Sequence, residues 1–298
     1  MDNVAKACSQ LEQSDARLTL LNLNCEFIGT PGVQKLAKSC HKCQVTSREI
    51  PIPHSPLAGL WLEANDVYPR GAEAVSQILQ CSPELKYLYV SNNNFGNSGV
   101  AHLAHAASRQ LDVCHIGDNK IDHIGARVIA DVLLGEASVV RTLVLDGNNL
   151  GNEGATIIAE GLRKNKNLAK LDLRNNRIDK AGMLALLQVL KNDNMTLQYL
   201  MLQETDEGCS RHAQSPLDKS PRPRKQSNFD DCTCERCQIL FQMDYFLAMN
   251  RAGRHSLADV MVPANLWPRI LSNVSHSDPS LRYAMLSFYK PNIVPGHP

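Results

Sequence analysis

Aromatic side chains are scarce in this 298-residue chain: two Trp, seven Tyr and six Phe make 5% of it. Any core must therefore be mostly aliphatic. Net charge is almost absent, with 31 basic residues against 30 acidic ones. That balance excludes a global electrostatic footprint for nucleic acid or for an acidic membrane. No apolar run approaches the roughly 18–20 residues of a membrane span. The opening MDNVAKACSQLEQSDAR lacks the apolar centre of a secretory signal. Phosphate-loop, nucleophile-elbow and zinc-protease signatures are missing too. These absences set the first expectations: a cytoplasmic protein, not an enzyme, with no cofactor, no nucleic acid and no membrane. The ten cysteines are read as mostly free thiols of a reducing compartment.

What is present is repetition. LVLDGNNLGNEG (143–154) and LDLRNNRIDKAG (171–182) align without a gap, 28 residues apart. The shared template is L-x-x-L-x-L-x-x-N-x-L, often followed by G-x-x-G. It begins at Leu18, Leu57, Leu85, Leu111, Val140, Leu168 and, in part, Leu197. In the first copy Glu26 stands where Asn is expected. Each L-x-L predicts a short strand with its leucines inward. The asparagine satisfies backbone groups where the chain leaves that strand. A helical stretch such as ATIIAEGLRKN (155–165) completes the unit. One unit cannot bury its own apolar face, so copies must stack.

These letters identify leucine-rich repeats, and the long period resembles the ribonuclease-inhibitor type. The resemblance covers roughly residues 15 to 206. It implies an α/β, right-handed horseshoe, with parallel strands inside and helices outside. Val4 to Leu11 reads as a capping helix. The first interval is long, and the excess, Ser39 to Pro56, reads as an enlarged loop with no helical pattern.

The non-repeating letters of each strand face the concave side. Between the paired leucines stand Asn22, Trp61, Tyr89, His115, Val144, Asp172 and Met201. The following positions add Glu63, Asp118, Asp146, Arg174 and Glu204. Trp61, Tyr89 and His115 fall on neighbouring strands. Exposed rings anchor interfaces, and acids around them select a basic partner. The expected partner-binding set is Trp61, Glu63, Tyr89, His115, Asp118, Asp146, Asp172 and Arg174. The expected function is non-catalytic binding of another protein, one with a basic surface. Oligomeric state is not readable.

A second resemblance gives an alternative. Ran GTPase-activating proteins are similar repeats that supply an arginine from an N-terminal loop. TSREIP (46–51) puts Arg48 in the early loop, and SNNNFGNSG (91–99) is reminiscent of that family's repeats. The resemblance implies a cation reaching developing phosphate charge.

The second half differs in composition. The solenoid is assigned to 1–206, a disordered linker to 207–231, and a small α-helical module to 232–298. The linker carries Ser215-Pro216 and Ser220-Pro221 beside Lys219, Arg222, Arg224 and Lys225. Proline-directed phosphorylation there reverses the local charge. Cys232, Cys234 and Cys237 crowd into six residues. They are candidate metal ligands, but the spacing is not a standard finger and a fourth ligand is needed. The favoured reading is no metal. ERCQILFQMDYFLAMNRA (235–252) predicts an amphipathic helix with Ile239, Leu240, Met243, Phe246 and Leu247 on one face. Residues 265–275 and 280–290 predict two further short helices. Whether this module caps the solenoid or binds separately stays open at the level of sequence.

Overall fold

The computed structural model describes residues 2–13, 17–45, 57–202 and 235–251. Its frame is one seven-stranded sheet in chain order, every pair parallel. The strands are three residues each: β1 (Leu20–Asn22), β2 (Gly59–Trp61), β3 (Tyr87–Tyr89), β4 (Val113–His115), β5 (Thr142–Val144), β6 (Lys170–Asp172) and β7 (Tyr199–Met201). Each is followed by a helix of the outer layer: α2 (Gly29–Val45), α3 (Pro69–Cys81), α4 (Gly96–Ser108), α5 (His123–Val128), α6 (Gly151–Lys164), α7 (Lys180–Asn192) and α8 (Glu235–Arg251). A π-helical turn, Ile129–Leu133, extends α5. Strands repeat over a short rise and helices over a wide one, so the sheet lies on the inner side of an open arc. The core between the layers is aliphatic: Leu60, Leu88, Leu143 and Leu171 are fully buried.

The repeat asparagines act as predicted, and they do more than close their own turn. Asn148 Nδ2 donates to Leu145 O and Asp146 O in its own repeat and to Ile116 O in the preceding one. Its Oδ1 accepts from the N–H groups of Asn119 and Ile121. Asn65, Asn93, Asn119 and Asn176 span to the previous repeat in the same way. All five are buried, so each is a riveted joint between two units. Glu26 has no earlier repeat to bridge. It accepts instead from Asn3 Nδ2 of α1 (Asp2–Glu12) at 2.8 Å. Val4, Ala7 and Leu11 of that helix cover the first repeat's core.

One expectation changes. Residues 39–45, read as loop, belong to α2. The helix persists because Cys40, 2% exposed, continues the buried face set by Val33, Leu36 and Ala37. Ser39 and Lys42 also bind Glu12 at 3.0 and 3.1 Å, tying the extra turns to α1. The rest of that segment, 46–56, lies outside the described residues. At the other end, α8 packs on α7 through buried Ile239, Met243 and Leu247, with Leu240 and Phe246 against the same core. Asn250 Nδ2 donates to Asn194 O and Leu197 O, and Arg251 Nη1 to Gln198 O at 2.6 Å. The segments 265–275 and 280–290, the linker, Cys232, Cys234 and the side chain of Cys237 lie outside the described residues.

Candidate functional site on the concave face

The register puts the unusual side chains in one row. Trp61 pairs with Tyr89, and Tyr89 with His115. The Trp61 and Tyr89 rings stack at 5.1 Å between centroids, with planes 7° apart. The Tyr89 and His115 rings meet at 4.3 Å, tilted by 56°. The stack depends on a residue that the repeat pattern does not single out. A Cβ on Gly59 would stand 2.6 Å from Trp61 Cη2 and 3.1 Å from Leu20 Cδ2. Gly59 is therefore a bare floor onto which the indole lies back, against the exposed Leu20. All three rings are partly buried. Burial, then the Glu63 and Tyr87 charges, push the Tyr89 phenol above its ordinary value. Burial lowers the His115 imidazole below its ordinary value, opposed by Asp172.

Beyond His115 the face becomes ionic. A cavity of about 460 Å³ is lined by Glu63, His115, Asp118, Asp146, Lys170, Asp172 and Arg174, with Ser91, Thr142, Val144 and Met201 among its other walls. Six of the eight expected binding residues thus share one cavity, while Trp61 and Tyr89 stand beside it. Asp172, 2% exposed, is held by the Arg174 guanidinium in a fork: Nε meets its two carboxylate oxygens at 2.9 and 3.0 Å. The pairing holds Arg174 still more firmly protonated. Lys170 Nζ lies over the Tyr199 ring, 5.3 Å from its centroid.

Asp118 and Asp146 sit on mirrored letters, Gly117-Asp118 and Asp146-Gly147. A Cβ on Gly117 would run into the Asp146 carboxylate, and one on Gly147 into that of Asp118. Each acid is thus folded over the other strand's glycine. Asp118 holds φ at 47° and Gly147 at 67° in the turns that do this. Burial first, then repulsion from Asp172 and Asp118, raise the Asp146 carboxyl above its ordinary value.

Sequence reading missed Gly59, the two glycines under the acids, and Thr142 and Lys170. The signal was available: the residue before each inward leucine lies two places from the one after it, on the same side of the strand. Arg48 and Glu204 lie outside the described residues. The buried Cys114 thiol, pushed up to about 12 by burial, is no nucleophile. Among the described residues no three His, Cys, Asp or Glu side chains are placed so that they could hold one metal ion.

A family description, Leucine Rich repeat, matches residues 81–104, 137–159 and 164–187. With the sheet and its asparagine joints, this makes the chain a leucine-rich-repeat protein. It resembles the ribonuclease-inhibitor type: it is 24% identical to the pig ribonuclease inhibitor over 223 residues, covering 64% of this chain and 47% of that one. The mouse ribonuclease inhibitor is 24% identical over 63% of this chain and 46% of its own length. Mouse NACHT, LRR and PYD domains-containing protein 9C is 26% identical over 54% of this chain and 15% of its own. The chain spans about half the length of the ribonuclease inhibitors it matches.

Proposed function

We propose that this chain is a non-catalytic protein-binding scaffold whose concave face is the working surface, with Trp61 and Tyr89 as anchor and a partner that presents basic groups. The observation that carries the reading is the stacked Trp61–Tyr89 pair on an open sheet, on a bare floor supplied by Gly59. Such rings offer large, rigid contact area at low entropic cost. Glu63, Asp118 and Asp146 beside them provide the charge preference. Relatives bearing the name ribonuclease inhibitor are consistent with a role in binding. The linker at 207–231 and the helical module at 232–298 then form the second part of the scaffold, with α8 joining it to the solenoid.

The test is an affinity capture from a cytosolic extract with wild type and a Trp61→Ala, Tyr89→Ala double variant, both verified as folded by circular dichroism. The reading expects partner bands that the double variant loses. Bands that persist unchanged sink it and shift attention to the linker and tail. An Arg48→Ala variant is expected to be silent in this capture. Loss of accelerated GTP hydrolysis in that variant, across a panel of small GTPases, would support the arginine-finger alternative instead.

A further inference from the structure

We propose that the cavity beyond His115 is a receptacle for an arginine side chain of the partner protein, with Asp118 and Asp146 as its acceptors and the His115 ring as the wall on which its guanidinium lies. The inference rests on the concave-face reading and deepens it.

The cavity's own charges leave one place for a cation. It is lined by four carboxylates and two basic side chains. Asp172 is already forked by Arg174, and Glu63 takes the Asn24 amide at 2.9 Å. Lys170 leans over Tyr199. No ion pair among the described residues reaches Asp118 or Asp146. Each of those two acids reaches over a glycine of the neighbouring repeat, where the missing side chain leaves room for its carboxylate. Asp146 is partly buried and Asp118 exposed; two like charges so placed repel, and an incoming cation removes that repulsion. The ring wall then chooses between cations. A guanidinium is planar, weakly hydrated and forked, so it can stack on His115 while its donors reach two separate carboxylates. An ammonium is a compact, strongly hydrated point that does neither well.

The test is calorimetric titration of the full chain with hexa-arginine, hexa-lysine and hexa-glutamate peptides near physiological salt. The receptacle predicts that hexa-arginine binds, that hexa-lysine binds several-fold more weakly, and that hexa-glutamate does not bind. Asp118→Asn with Asp146→Asn keeps the side-chain shapes and removes the repulsion, so it should fold, and it should weaken hexa-arginine by about tenfold. Equal binding of the arginine and lysine peptides, an unaffected double variant, or no binding at all overturns the proposal. A triple variant, Arg222→Gln, Arg224→Gln, Lys225→Gln, identifies the source of the cation. If it binds hexa-arginine markedly tighter than wild type, the chain's own basic run is the occupant and the partner assignment is overturned. The broader reading fails separately: it falls only if the partner bands survive Trp61→Ala, Tyr89→Ala.

Discussion

The two halves of the concave face are built on one scaffold and by opposite means. From β1 to β4 the row is apolar and aromatic, closed by stacking and by the absence of a side chain at Gly59. From β4 to β7 it is ionic, set by the Arg174–Asp172 fork and by two acids crossed over glycines. Beneath both halves the leucines and asparagines scarcely change. In a repeat solenoid the core letters set where a strand lies, and surface letters are free to differ from strand to strand. Glycine is the shared device: it makes room for an indole in one half and for carboxylates in the other.

Removing the common support should do most harm, because it erases the distinction between the halves. Asn148 joins the repeat of β4 to that of β5, where the two halves meet. Asn148→Ala leaves buried carbonyls and N–H groups unpaired, and should cost about 3 kcal/mol in a denaturant titration. A substitution in the aromatic half comes next. Gly59→Val drives the indole off its floor and should cost about 2 kcal/mol, with loss of the near-ultraviolet dichroism of the stacked rings. The ionic half should yield less, since water takes over from a lost charge. Asp172→Asn weakens the fork to a half-exposed Arg174 and should cost about 1 kcal/mol. The smallest effect has the opposite sign. The Asp146 carboxyl is raised, so the folded chain holds its proton more tightly than the unfolded one. Its stabilising contribution is complete below the ordinary carboxylate value and is lost as pH rises through the raised one. Asp146→Asn should therefore stabilise the protein at neutral pH by roughly 0.5 kcal/mol, since water screens so open a group. In thermal melts that gain should vanish below about pH 3.9.

The same contrast explains what could be read from letters. The strands, the asparagine joints and the row Trp61–Tyr89–His115 were legible because they recur at a fixed period, and the period fixes the face. Gly59 and the Gly117–Gly147 pair were not. Their meaning lies in what a neighbouring strand puts above them, and a template within one repeat does not show that. The continuation of α2 through Val45 was hidden for a related reason. Cys40 carries the buried face, and polar Ser39 and Lys42 are held by Glu12, 30 residues earlier in the chain for Lys42. Asp118 and Asp146 were marked as acids facing the concave side, but their crossed seating needed the structure.

The most direct measurement is a four-way affinity capture from one extract: wild type, Trp61→Ala with Tyr89→Ala, Asp118→Asn with Asp146→Asn, and all four changes together. If one concave surface binds through an aromatic anchor and an ionic receptacle, the same partner bands fade in both double variants and disappear in the quadruple one. Bands that persist at full strength in the quadruple variant would place binding elsewhere on the molecule and contradict the account.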